Sequence, residues 1–447
     1  MSKKKISKKT LIFWPTRTIA TSVFAALIGY VTFFATDFLG ISAVTAGVIF
    51  MVSKIFDGVT DIIAGYIIDH SHFKLGKGRP YELALIGYGA ATIALFSAPK
   101  MGMTPSCIYL FVMYSLINSV FLTLLNCNEP VYLSNVIEES SQSVTIAAIT
   151  GFISLIFTML ASMILPQFVA TVGTTRQGWM LISVVMSIPL TLFGLLRFFF
   201  VKERRQSAET VSQNFTIKDM LSAIMQNKYI LLFSLIILIS NVGSNLVNSV
   251  QTYYFQYIMG DLSLASIMSL SMLAIIIVIM LTPMLSNKFG FLKVMRATTL
   301  LGMIGYIIRI FAPTNMGLLF GSNILAMMGF YTMFSFAGTF VIDCIDYGEW
   351  KTGQRNEGTI ACAQSVTAKI GTAVGVGLIG LLMGLSGYDG ALTVQPDSAN
   401  IMIIMLFSVV PAVFCLIQLI LLHLYDLDKI QPQIHADLEK RRNAEQN

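Results

Sequence analysis

The chain has 447 residues, 55% of them apolar and 12% charged, with a formal net charge of +6. So apolar a composition excludes a soluble protein built around one core, and the small, scattered positive balance gives no footing for nucleic-acid binding. The expected surroundings are a lipid bilayer, crossed many times.

In chain order, apolar segments long enough to span a bilayer are predicted at 11–36, 43–68, 82–99, 106–127, 144–170 and 178–200. Six more follow at 229–258, 263–285, 294–312, 317–342, 358–385 and 400–424. The expected fold class is an all-α membrane protein of twelve transmembrane helices in two six-helix bundles. The first bundle is placed at 1–201, a cytoplasmic linker at 202–225, the second bundle at 226–430 and a cytoplasmic tail at 431–447.

Positive charge fixes the expected orientation. Lys3, Lys4, Lys5, Lys8 and Lys9 precede the first span, Lys77 and Arg79 follow the second, and Lys202, Arg204 and Arg205 fill the central linker. Lys288, Lys293 and Arg296 follow the eighth span and Lys440, Arg441 and Arg442 end the chain, whereas Lys100 and Arg176 stand on the other side. The positive-inside rule then predicts a multi-pass protein of the cell (plasma or inner) membrane with both termini cytoplasmic. No cleaved leader is expected, because the first apolar run is too long. The five cysteines have no paired spacing, so neither a disulfide framework nor a zinc site is predicted.

The second span, IFMVSKIFDGVTDIIAGYII, carries Asp57 and Asp61 in its middle. A carboxylate at the centre of a spanning helix costs about 2.5–3.5 kcal/mol on insertion scales, so it needs a partner or a task. Four residues apart, the two share a helix face and suit a hard cation such as Na⁺, or a proton, with Thr60 beside them. Lys54, one turn earlier, could hold them when the cation leaves. A buried ion pair that only fixes helix packing is the competing reading.

Each half of the chain carries a basic turn after its second span, at 69–80 and 286–296, a weak internal repeat expected of the major facilitator architecture. In the first copy Asp69 at a helix end and Arg79 in the GKGRP turn are placed to pair and lock one conformation. Asn241, Asn245 and Asn248 form one stripe of the seventh span, able to donate to and accept from solute hydroxyls or to tie helices together. Lys369 is a lone ammonium among small and apolar residues of the eleventh span, with Gln364 and Ser365 extending the polar lining and Tyr331 a less central contributor. Gly371 and Gly375 have the spacing of a close helix contact.

The stretches TDFLGIS at 36–42, DGVTD at 57–61, GKGRPYEL, YYFQYIMGD at 253–261 and DYGEWKTGQRNEG at 346–358 resemble the glycoside–pentoside–hexuronide:cation symporters. The resemblance covers nearly the whole chain. It implies a twelve-helix major facilitator transporter in which Na⁺, H⁺ or, in some members, Li⁺ drives sugar uptake. Asp57 and Asp61 match the family's cation-binding pair, and Lys369 matches a lysine near its cation and sugar sites. The gating set expected on these motifs is Asp37, Asp69, Arg79, Asp346, Glu349 and Arg355.

Departures from the melibiose permease-like pattern fall in the expected sugar site. Thr21 and Asn128 stand where that pattern has aspartates, while Arg17 and Glu129 are extra charges beside them. Arg17 near a solute would favour a carboxylate-bearing ligand over a neutral galactoside, unless it only anchors the cytoplasmic end of its helix. The function expected is cation-coupled sugar or glycoside symport; the rivals are a non-sugar solute, organic anion or lipid-like, and an uncoupled facilitator. No HExxH, GxSxG or GxxxxGK[ST] motif occurs, so no enzyme, cofactor or ATP-driven reading is supported. Beyond the solute and the bilayer, no obligate protein partner is expected.

Overall fold

The structure, a computed structural model, describes residues 7–71, 73, 75–137, 140–203, 227–311, 313–352 and 357–445. Helix is the only regular secondary structure among them. The long helices are α1 (Lys8–Phe38), α2 (Ala43–Asp69), α3 (Ala84–Phe96), α4 (Met103–Val136), α5 (Ser140–Thr171), α6 (Arg176–Phe200) and α7 (Lys228–Ile258). They continue as α8 (Met272–Phe289), α9 (Phe291–Phe311), α10 (Met316–Thr352), α11 (Glu357–Leu385), α12 (Val409–Leu424) and α13 (Gln431–Glu445). Ten helical stretches among the described residues are long and apolar enough to cross a membrane. Beside those ten, α2 and α3 lie where the sequence places its second and third spans.

Contacts divide the chain into two compact units. The first holds residues 1–211, 252–270 and 379–400; the second holds 212–251, 271–378 and 401–447. In the first unit α1 packs on α5 and α6, α3 on α6, and α2 along α4. Ser42 starts α2 by accepting the Thr45 amide at 3.2 Å, and Thr175 starts α6 by accepting that of Gly178 at 3.0 Å. Val48, Val52, Ile55, Val59 and Ile63 make one apolar, exposed face of α2, a surface unfavourable in water and suited to lipid chains. Its opposite face carries Ser53 and Asp57, both buried. Trp179 of α6 stacks on Phe96 of α3 at 5.3 Å between centroids and touches Phe34 and Phe38, which fixes the end of α1.

Among the described residues three stretches widen from α to π geometry: Phe34–Phe38, Leu116–Leu122 and Tyr254–Ile258. A π segment inserts residues into the helical ladder and re-aims side chains, and such segments gather at functional sites.

In the second unit α9 lies against α10 and α12. Its core stacks Phe233 on Phe340 at 5.2 Å, with Tyr229, Met295, Leu422 and Tyr425 around them. Gln418, fully buried, satisfies its amide on Thr299 Oγ1 at 3.2 Å and Gly329 O at 3.1 Å, and accepts from Ser240 at 3.0 Å. Most of the expected tail is α13. Ile434 and Leu438, one turn apart, are buried in this core, and Trp350 Nε1 donates to Asp437 Oδ2 at 3.1 Å.

Candidate functional site

The two central aspartates of α2 face hydroxyls of α4 in matching register. Ser53 meets Ser115 at 2.9 Å, Ser119 Oγ donates to Asp57 Oδ1, and Thr123 Oγ1 donates to Asp61 Oδ1 at 3.0 Å. The α2 partners recur every four residues and so do those of α4, so the helices run parallel and pair rung by rung. The π segment Leu116–Leu122 lies inside this ladder. There the Asn118 carbonyl accepts the Thr123 backbone amide and lies 3.2 Å from the Thr123 hydroxyl. That hydroxyl reaches both the carbonyl and Asp61 but can donate to only one at a time.

Lys54 adds a tethered cation. Its Nζ donates to Asp57 Oδ2 at 3.0 Å and to Asn118 Oδ1 at 3.1 Å, and lies 5.6 Å from the Tyr114 ring centre. Asp57 is only 6% exposed. The Thr60 hydroxyl donates back within α2, to Asp57 O at 3.1 Å. The oxygen set from Asp57, Asp61, Asn118, Ser119 and Thr123 is what a hard cation requires, with no sulfur or nitrogen ligand needed.

A second group of charges, buried except for the partly exposed Glu129, sits two to four turns further along α4. Glu129 Oε2 accepts from Arg17 of α1 and forms an ion pair with Arg197 of α6, whose Nη1 lies 2.8 Å away. Glu82 lies 3.9 Å from Arg17 Nε and 3.7 Å from Arg197 Nε. Arg197, fully buried, lays its guanidinium 3.4 Å from the Trp14 ring centre and 4.9 Å from that of Tyr132. Asn128 is fully buried, with Nδ2 3.5 Å from Glu82 Oε1. The Thr21 hydroxyl turns back onto its own helix, to Thr18 O and Arg17 O at 3.1 and 3.2 Å. Arg17, expected either as a fork for a carboxylate-bearing solute or as an anchor of its helix end, pairs with the protein's own Glu129, and a buried guanidinium is far cheaper when paired.

At the far end of α1, Asp37 gathers three hydroxyls. Tyr257 donates to its Oδ1, Tyr388 to Oδ2 at 2.8 Å and Thr36 to Oδ2 at 2.5 Å, while Tyr253 bonds Thr36 at 3.0 Å. Two of the three π segments meet here, Phe34–Phe38 and Tyr254–Ile258. All these residues belong to the first unit.

In the second unit the asparagine stripe is graded. Asn241 is buried and donates to Ile237 O at 2.9 Å; Asn245 reaches Thr372 Oγ1 of α11 at 3.4 Å; Asn248 is exposed and bonds Tyr331 of α10 at 3.2 Å. Gly371 and Gly375 let α11 press on α7 here: a Cβ at Gly371 would stand 2.8 Å from that of Asn241, and one at Gly375 2.9 Å from Val242 O. Lys369 is half-buried on the same helix, with Gln364 half-buried and Ser365 exposed one turn before it. Asp346 is buried and Glu349 half-buried on α10. Arg79 Nε donates to Phe198 O at 2.7 Å. The Asp69 side chain and Arg355 lie outside the described residues.

Sequence reasoning missed Asn118, Ser119 and Thr123 on α4, Glu82 and Arg197 in the charged quartet, and the tyrosines on Asp37. The α4 residues had a faint signal, since SLINSVFLT places polar side chains at the same four-residue interval as Ser53, Asp57 and Asp61.

A family model described as MFS/sugar transport protein matches residues 18–429. The isoprimeverose transporter of Lactiplantibacillus pentosus is 28% identical over 432 residues, covering 95% of this chain and 89% of that protein. The inner membrane symporter YicJ of Escherichia coli (strain K12) is 23% identical over 409 residues, covering 90% and 88%. Among solved structures, a D-xylose-proton symporter superposes with a TM-score of 0.63 at 16% identity, covering 92% of this chain and 97% of that one, a likeness of fold.

Proposed function

The chain belongs to the MFS/sugar transport protein family, and from that premise we propose that it carries a sugar or glycoside together with Na⁺ or H⁺ across the cell membrane. Its fold is that of the major facilitator transporters. The observation that carries the reading is the ladder between α2 and α4: two carboxylates, two hydroxyls and an amide oxygen on adjoining rungs, with Asp57 buried and Lys54 as a resident ammonium. A cation arriving there displaces the Lys54 ammonium and neutralises α2. The charge-neutral carrier then changes face with its solute, the alternating-access scheme of such transporters. The cation is the cargo that drives the cycle, and Li⁺ fits the same oxygen set.

The solute end of the proposal rests on the exposed amide of Asn248 and the hydroxyl of the half-buried Tyr331, already bonded to each other, which offer donors and acceptors to sugar hydroxyls. Asn241 and Asn245 serve mainly as helix ties. Arg17 and Glu129 neutralise one another, so a neutral glycoside is preferred to a uronide. Lys369, Gln364 and Ser365 are proposed to line the same path. Asp37 with its tyrosines is proposed as an outer gate and Asp346 with Glu349 as part of an inner one, with both termini in the cytoplasm as the positive charges require.

The test is uptake into proteoliposomes of isoprimeverose, melibiose, D-xylose and a glucuronide, under an imposed Na⁺ gradient or an imposed proton gradient. Uphill accumulation of a neutral sugar under one gradient is expected. Accumulation of the glucuronide alone, or equal equilibration of every sugar with no response to either gradient, contradicts the reading.

A further inference from the structure

The turn between α2 and α3 holds a carboxylate with its main chain. The backbone amides of Lys77, Gly78 and Arg79 point at Glu203, at 3.0, 2.8 and 2.6 Å, and Asn135 Nδ2 at the end of α4 adds a fourth bond at 2.9 Å. Successive amides turned toward one anion form a concave receptor that needs no basic side chain. Two glycines make room for it. Gly76 adopts φ +114°, and a Cβ there would stand 2.6 Å from the Glu203 carboxyl carbon; a Cβ on Gly78 would stand 2.7 Å from that of Tyr132.

Glu203 lies three residues past the end of α6, where the polar linker begins. A second tie fixes the same stretch, since the Tyr132 hydroxyl donates to Val201 O at 2.6 Å. The linker therefore leaves the first unit fastened to the end of α4 and to the α2–α3 turn. We propose that Glu203 is a strap: its carboxylate, seated in the Gly76–Arg79 cradle, joins the start of the linker to the turn that ends α2, so that the helix bearing Asp57 and Asp61 and the root of the linker form one rigid piece. The basic turn thus acts through its amides and glycines as well as through the charge that sets topology.

Three full-length variants test this: Glu203→Gln removes the charge at constant shape, Asn135→Ala removes one donor, and Gly76→Ala puts a methyl group in the cradle. Two rates are read on purified protein in detergent: tryptic cleavage after Lys202, Arg204 or Arg205, and deuterium uptake by the backbone amides of residues 77–79. Both are expected to rise together, by roughly five-fold or more in Glu203→Gln and less in Asn135→Ala, because one opening event exposes both places. Glu203→Asp should recover part of the protection. Unchanged cleavage and unchanged exchange in Glu203→Gln, or faster cleavage with the turn still protected, overturns the strap. Neither rate depends on which solute or cation is carried, so a failure here is separate from a failure of the transport reading. If Gly76→Ala does not fold, Glu203→Gln and Asn135→Ala decide alone.

Discussion

Two regions of the first unit set charge against the same helix, α4, and hold it in different ways. In the quartet, Arg17 and Arg197 face Glu82 and Glu129, and the formal charges cancel. In the ladder, Lys54 pairs with Asp57, and Asp57 and Asp61 each accept from a neutral hydroxyl of α4. Removing ions from water costs several kcal/mol each unless they are matched, so a cancelling set is complete as it stands. Carboxylates held by neutral hydroxyls and a tethered ammonium can exchange those partners for a cation. On the proposed function, the contrast gives the quartet to architecture and the ladder to transport.

The sharpest way to break this contrast is to neutralise the ladder. Asp57→Asn or Asp61→Asn is expected to abolish gradient-driven accumulation in proteoliposomes while insertion and thermal stability stay near wild type. Undiminished uphill uptake in both variants would sink the cation assignment. The quartet should respond in reverse. Arg197→Gln leaves the buried Glu82 and the partly exposed Glu129 sharing one arginine, a change on the order of 3–5 kcal/mol in stability. A large drop in melting temperature and folded yield is expected, and a normal melting temperature would show that the quartet does not hold the helices together.

Smaller effects sharpen the picture of the ladder. Lys54→Met removes the resident ammonium that competes for Asp57, so cation affinity should rise, by about ten-fold if roughly 1.4 kcal/mol of competition is relieved. A weaker affinity would mean that Lys54 helps to hold the cation rather than opposing it. Thr123→Val deletes one hydrogen bond to Asp61, a contribution of about 1 kcal/mol, and should weaken cation binding about five-fold with solute binding in saturating cation unchanged.

Much of the ladder was legible in the sequence, because charge inside an apolar run is conspicuous and the four-residue spacing of Asp57 and Asp61 gives one face. Ser119 and Thr123 were not, since neutral hydroxyls are common in membrane helices and the π segment shifts the register that a periodicity of 3.6 would predict. Glu82 and Arg197 were hidden differently: they fall at span ends, where charge is expected at the water boundary and calls for no partner. The tyrosines on Asp37 lie 220 and 351 residues away from it along the chain, a pairing no local pattern announces. Glu203 stands between the basic residues of the linker and draws no notice there, although the two glycines of GKGRP gave a hint of the cradle that receives it. The helical segments themselves were visible throughout, since lipid demands long apolar runs and leaves little other choice of backbone.

The account stands most directly on equilibrium cation binding to the purified protein, followed by calorimetry with NaCl at constant ionic strength and, in Na⁺-free buffer, by proton uptake. Wild type is predicted to bind Na⁺ or a proton saturably, Asp57→Asn and Asp61→Asn to lose that binding, and a folded charge-balanced quartet variant, Arg17→Gln with Glu82→Gln, to retain it. Saturable cation binding of unchanged affinity in both aspartate variants, or its loss only in the quartet variant, would contradict the claim that the ladder is the cation site.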